Sequence, residues 1–79
     1  MGLRWRVLAD MRRHPVESSS ISSVGYDAAS KTLEVEFHNG SVYRYYDVPQ
    51  SVYAAWMAAP SKGQFFTYHI RDRFLFSQL

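Results

Sequence analysis

The sequence contains no cysteine and only three histidines. The first absence excludes disulfide bonds, thiolate nucleophiles and metal sites built on cysteine. No two of the histidines, His14, His38 and His69, have the helical spacing of a zinc-binding pair, and no HExxH, GxSxG or phosphate-loop motif occurs. We therefore expect no enzyme activity, no metal site and no cofactor.

The sequence also lacks a long hydrophobic run. Residues 1–15 contain four arginines but no apolar stretch of the roughly seven residues that a secretory signal needs. A membrane-spanning helix requires about 20 apolar residues, and no segment supplies them. These absences predict a cytoplasmic protein with no membrane partner.

The residues that are present suit a small folded domain. The chain has 79 residues, enough for one domain, and 16% of them are aromatic, whereas disordered chains are poor in aromatics. We predict a basic N-terminal arm over residues 1–14 and a single domain over residues 15–79. Leu3, Val7 and Met11 recur at every fourth position, so the arm is either a short amphipathic helix or a frayed terminus.

The formal net charge of +2 is unevenly distributed. Residues 1–14 carry +3, residues 15–61 carry −3 and residues 62–79 carry +2. The charged residues of the three segments are Arg4, Arg6, Asp10, Arg12 and Arg13; Glu17, Asp27, Lys31, Glu34, Glu36, Arg44 and Asp47; and Lys62, Arg71, Asp72 and Arg73. A basic surface would therefore have to combine the arm with the last helix, where the run of residues 71–73 is typical of a solvated face.

Three segments predict the strands of an antiparallel meander: Ile21–Asp27, Thr32–Phe37 and residues 41–46. The second segment is the clearest, because Leu33, Val35 and Phe37 alternate with polar residues. Two short helices follow. Pro49 and Pro60 bound the first, and its apolar stripe consists of Val52, Tyr53, Trp56 and Met57.

The second helix should begin at Lys62, because Ser61 and Gln64 fit a capping box. Its inner face consists of Phe66, Ile70 and Phe74. Residues 75–79 either add a short C-terminal edge strand or lie over the core. The predicted fold class is α+β: a small three-stranded antiparallel meander followed by two short helices packed on one face.

The hairpin at Asn39-Gly40 leaves two registers open. A two-residue turn pairs Val35 with Arg44 and turns Tyr43 and Tyr45 outward. A base-stacking platform formed there would lie beside Glu34 and Glu36, a poor neighbourhood for phosphate. A three-residue loop that begins one residue earlier puts both tyrosines on the core face, with their hydroxyls near the rim. We favour the three-residue loop because it does not bury Arg44 against Val35.

From Met11 onward the chain contains an ordered set of short pieces: Val16 with Ser18-Ser19, Val24-Gly25-Tyr26-Asp27, Leu33-Glu34-Val35-Glu36-Phe37, Gly40, Tyr43-Arg44-Tyr45, Val48-Pro49, Val52-Tyr53, Ser61-Lys62-Gly63, Phe66 and Ile70-Arg71. This set resembles the KTSC domain family, which occurs at the C-terminus of some lysyl-tRNA synthetases and as a stand-alone bacterial protein. Tyr43 and Tyr45 correspond to the family's central YxY motif. The resemblance implies no catalytic residues, and the association with a synthetase implies RNA binding.

Two functions follow from these observations. The first is a small non-catalytic RNA- or tRNA-binding module, whose binding would be weak and would fall steeply with salt. Its contacts would be Arg12, Arg13, Arg44, Tyr46, Lys62, Gly63, Arg71 and Arg73, with Lys62 and the start of the second helix as a phosphate seat.

The alternative is a protein–protein interaction or accessory domain that docks on a larger partner or on itself. It is favoured by five large aromatic residues that exceed what so short a chain can bury: Trp5, Trp56, Phe65, Phe74 and Phe76.

Overall fold

The computed structural model describes residues 11–79. In chain order the elements are β1 (His14–Pro15), β2 (Ile21–Asp27), β3 (Thr32–Phe37), β4 (Val42–Tyr45), α1 (Gln50–Ala58), α2 (Lys62–His69) and β5 (Phe76–Gln78). The strands form one antiparallel sheet in the order β1-β2-β3-β4-β5. The α+β class is confirmed, but the sheet has five strands rather than three. The edge strand considered for the tail is present as β5.

Strand β1 was missed because it is short and contains a proline, which removes a donor and is tolerated at a sheet edge. His14 pairs with Val24 of β2. The preceding residues 11–13 are not helical; they cross the outer face of β2, where a Cβ on Gly25 would lie 2.4 Å from the Arg12 carbonyl oxygen. The described part of the predicted arm therefore lies on the sheet. The rest of the predicted arm helix lies outside the described residues.

The register of the β3–β4 hairpin is the three-residue alternative. Val35 pairs with Tyr43, and Gly40 has a φ of 93°, the left-handed conformation that glycine adopts without strain. The Gly40 N–H donates to the Phe37 carbonyl at 2.9 Å. As a result, Tyr45 faces the helices with 3% of its surface exposed, while its neighbour Arg44 lies on the opposite face.

Both helices pack on one face of the sheet. The buried core consists of Ile21, Val24, Leu33, Val35, Tyr45, Val48, Trp56, Phe66 and Ile70. Trp56 is fully buried, and its indole N–H donates to the Lys62 carbonyl at 2.9 Å, which ties the end of α1 to the start of α2. Neither described helix is long and apolar enough to cross a bilayer.

The Ser61 half of the predicted capping box is confirmed, because the Ser61 hydroxyl accepts from the Gln64 backbone N–H at 3.2 Å. Helix α1 begins at Gln50, one residue after the predicted start, because Pro49 occupies the extended position before the first turn. Ile70 lies just beyond the end of α2 and is fully buried.

Candidate functional site

A cleft of about 580 Å³ opens on the helix-facing side of the sheet, between β4, β5 and α2. Its aromatic lining consists of Phe37, Tyr43, Tyr45, Phe66 and Phe76. Its polar rim consists of Ser20, Asn39, Ser41, Gly63, Thr67, Arg71 and Asp72. We call this cleft the aromatic groove.

The groove exists because the helices leave the β4–β5 edge of the sheet uncovered. The rings of Tyr43 and Tyr45 lie 6.5 Å apart in a stacked arrangement. Phe76 pairs with Tyr45 across the β4–β5 ladder, and its ring centroid lies 5.7 Å from Tyr43 and 5.4 Å from Tyr45. Yet Phe76 is 53% exposed and Tyr43 is half-buried. The groove therefore offers ring surface to solvent beside a packed aromatic cluster.

Tyr45 is almost wholly buried, but its hydroxyl makes no hydrogen bond within residues 11–79 and is not sealed from solvent. Burial is the main cause that raises the pKa of Tyr45 above 10.0; Tyr43 and Asp72 raise it further, and Arg71 lowers it. The groups that act on this phenol are therefore those of the groove. The Tyr46 hydroxyl, in contrast, lies 2.6 Å from the Ser77 hydroxyl.

Two of the predicted RNA contacts, Arg13 and Arg44, lie on the outer face of the sheet, where both contact Glu34. The Arg13 Nη1 lies 2.9 Å from one carboxylate oxygen of Glu34, and the Arg44 Nε lies 3.1 Å from the other. Glu34 is only 7% exposed, so the two guanidinium groups compensate a nearly buried charge. Tyr46, a third predicted contact, follows Arg44 by two residues and bonds to β5 from the same face.

The predicted phosphate seat at the start of α2 has two of its donors engaged. The Lys62 ammonium donates to the Ala59 carbonyl at 2.7 Å, and the Gln64 N–H donates to Ser61. Gly63 lines the aromatic groove, and a Cβ there would lie 3.3 Å from the Ser20 hydroxyl.

The remaining predicted cations are separated from one another. Arg12 is exposed beside β2, and Arg71 lines the aromatic groove. Arg73 lines a different cleft of about 400 Å³, with Phe65 and His69. The eight predicted contacts therefore do not share one face, and the aromatic groove brings together only Gly63 and Arg71.

Of the five aromatic residues predicted to exceed what the chain can bury, most of those described are buried or half-buried. Trp56 is fully buried, Phe65 and Phe74 are half-buried, and Trp5 lies outside the described residues. Only Phe76 is largely exposed among those described, and it lies near exposed Leu75 and Leu79.

Sequence patterns alone did not assign Asp72 or Phe76 to the groove. The signal for Phe76 was its place in a strand that pairs with β4, since alternate residues of paired strands share a face. For Asp72 there was no such signal, because the turn that follows α2 sets its direction. Among residues 11–79 no group of three or more histidine or acidic side chains is placed to hold a metal ion.

Comparison with known proteins identifies the fold. The family model named KTSC domain matches residues 17–74. A crystal structure of a KTSC domain protein from Yersinia pestis has a TM-score of 0.83 and 41% identity, covering 87% of this chain and 97% of that one.

Similar sequences occur in two kinds of protein. A lysine–tRNA ligase of Nostoc punctiforme is 46% identical over 63 residues, which are 80% of this chain but only 11% of the ligase. A protein of Tsukamurella paurometabola is 43% identical over 60 residues, which are 76% of this chain and 90% of that protein. The matching unit is thus a small part of one relative and nearly the whole of the other. With the family model covering most of its length, this chain belongs to the KTSC domain family.

Proposed function

We propose that this chain is a small non-catalytic module that binds an unpaired segment of RNA in the aromatic groove. The observation that carries the proposal is the pair of partly exposed rings of Tyr43 and Phe76, which lie beside the buried Tyr45 in an open cleft that Arg71 also lines. Stacking of a base on such a ring contributes about 1–3 kcal/mol and tolerates any base. Unpaired bases are the part of RNA that aromatic side chains can reach.

The volume and polarity of the groove suit this ligand. About 580 Å³ lies within the range of small-molecule sites and leaves room for a nucleotide. Arg71 is exposed and has no carboxylate partner within residues 11–79, so its guanidinium is available to a phosphate. The match to a segment of lysine–tRNA ligases supports RNA as the nucleic acid.

The test is a fluorescence anisotropy titration of labelled hexauridylate with the whole chain and with Tyr43→Ala. Loss of one stacked base should weaken binding by about 5- to 150-fold. Tyr68→Ala is the matched control, because Tyr68 is 66% exposed on α2 and does not line the groove. Its affinity should equal that of the unchanged protein, and thermal melts should show that both variants fold.

The salt dependence provides a second measurement. If Arg71 makes the single phosphate contact, the affinity should fall by only about threefold between 50 and 200 mM salt, less steeply than for a surface of several cations. A parallel titration with tRNA tests a structured ligand that carries unpaired bases. No binding of either RNA at 50 mM salt, or equal loss in the Tyr43 and Tyr68 variants, would contradict the proposal.

A protein-docking function is the second candidate, and the edge strand β5 is the observation that favours it. The last five residues, 75–79, contain this edge strand. Of their side chains, Leu75 is 80% exposed, Phe76 53% and Leu79 60%. Exposed apolar side chains beside an unpaired strand edge are typical of interaction surfaces. Light scattering that gives a monomer over a wide concentration range would remove self-association from consideration.

A further inference from the structure

The residue that the proposed function leaves unexplained is Asp72. It is exposed, it lines the aromatic groove next to Arg71, and it forms no ion pair with any residue in the described range 11–79. The carboxylate is also one of the charges that act on the nearly buried phenol of Tyr45. Asp72 therefore shares the groove with both the aromatic rings and Arg71.

A carboxylate in a nucleic-acid groove is unfavourable unless the ligand offers it a donor. Ionised carboxylates and phosphates are both acceptors only, so Asp72 cannot replace Arg71 as a phosphate contact. If the rings hold the base and Arg71 holds the phosphate, the group between them is the sugar. The ribose 2′-hydroxyl is a donor on that sugar, and deoxyribose lacks it.

We propose that Asp72 accepts a hydrogen bond from a ribose 2′-hydroxyl and thereby makes the aromatic groove selective for RNA over DNA. This inference rests on the proposed function of the groove and adds the means of discrimination. The carboxylate repels the phosphates of both nucleic acids, and only a ribose offsets that repulsion. Acidic side chains recognise ribose hydroxyls in the same manner in dinucleotide-binding proteins.

The experiment compares hexauridylate with hexadeoxyuridylate, which differ only in the 2′-hydroxyls, so contacts to the base cancel in the ratio of affinities. The unchanged chain should bind the RNA about tenfold more tightly, as expected for one hydrogen bond to a charged acceptor. In Asp72→Ala the ratio should fall to near one. RNA binding should weaken while DNA binding stays equal or becomes tighter.

Glu17→Ala is the matched control, because it removes the same charge from an exposed position that does not line the groove. It should keep the wild-type ratio. If Asp72 acts only through general repulsion, Asp72→Ala will tighten both ligands equally and overturn the inference. Equal binding of RNA and DNA by the unchanged chain overturns it too but leaves the proposed function standing. Binding of neither oligonucleotide overturns both.

Discussion

The two faces of the sheet use their charged and aromatic residues in opposite ways. On the outer face, Arg13 and Arg44 both contact Glu34, and segment 11–13 closes over Gly25. On the helix-facing side, aromatic rings continue past the edge of the helical cover, and Arg71 stands at their rim. The outer face is polar and closed, whereas the helix-facing side is apolar and partly open.

This difference shows that counting cations does not locate a binding surface. Arg13 and Arg44 would be attractive phosphate contacts on composition alone, but releasing either would leave a nearly buried Glu34 carboxylate undercompensated. Arg71, beside the rings, is exposed and has no carboxylate partner within residues 11–79.

The largest loss of stability should come from a substitution in the buried core on the helix-facing side. Trp56→Ala removes a fully buried ring and its hydrogen bond to Lys62, and it should lower the free energy of unfolding by about 3–5 kcal/mol. Phe76→Ala, at the open groove, should cost about 1 kcal/mol because half of that ring already meets solvent. Urea unfolding measures both. Equal losses would mean that the groove is as tightly packed as the core.

The next largest loss of stability should come from a substitution on the outer face. Gly25→Ala places a Cβ against the backbone of Arg12, which cannot move without displacing residues 11–13, and should cost about 1–3 kcal/mol. Gly63→Ala is the control. Its Cβ would meet a serine hydroxyl at 3.3 Å that can rotate, and alanine favours the helix, so its stability should stay equal or rise. Equal destabilisation by both substitutions would show that close approach at Gly25 is not the cause.

Much of this arrangement could be predicted from the sequence, because it follows from local chemistry. The alternation of Leu33 and Val35 with polar residues predicted β3, the Ser61 cap predicted the start of α2, and the cost of burying Arg44 selected the correct hairpin register. Each of these depends on residues that are close in the sequence. The ordered set of short motifs, taken together, then predicted the family.

The rest depends on contacts between distant residues. Strand β1 has two residues and is defined only by its pairing with β2. The groove depends on how far α2 extends over β4 and on the return of β5 to that strand after two helices. The prediction treated Tyr43 and Tyr45 as either core or binding surface. They are on the core face and also line a groove, because the helical cover stops short of the sheet edge.

The third prediction tests the ion pairs of the outer face. Glu34→Gln leaves the guanidinium groups of Arg13 and Arg44 without their shared carboxylate and should cost about 1–2 kcal/mol, between the values for exposed and buried pairs. The loss should shrink as salt rises, unlike that of Trp56→Ala. Glu17→Gln, at an exposed position, should change stability by less than about 0.5 kcal/mol. Urea unfolding at low and high salt provides the measurement, and a loss independent of salt would contradict an electrostatic origin.

The smallest losses of stability should come from removing either of two tyrosine hydroxyls on the helix-facing side. The Tyr26 hydroxyl donates to the Val48 carbonyl, so Tyr26→Phe should cost about 0.5–1.5 kcal/mol at pH 7. The Tyr45 hydroxyl has no hydrogen-bond partner within residues 11–79, so Tyr45→Phe should cost less than about 0.5 kcal/mol. If Tyr45→Phe costs as much as Tyr26→Phe, that hydroxyl is bonded and the groove is not open at its floor.

Alkaline pH gives a separate test of the Tyr45 phenol. Burial raises the pKa of Tyr45 above 10.0 in the folded protein, so as pH rises past 10 the unfolded chain loses this proton while the folded chain retains it. The unfolded state is thereby favoured, and stability falls until the folded pKa is reached. Phenylalanine has no proton to lose, so Tyr45→Phe should gain stability relative to the unchanged chain above pH 10. Urea unfolding at pH 7 and above pH 10 measures this gain, and its absence would show that the phenol ionises as freely as in the unfolded chain.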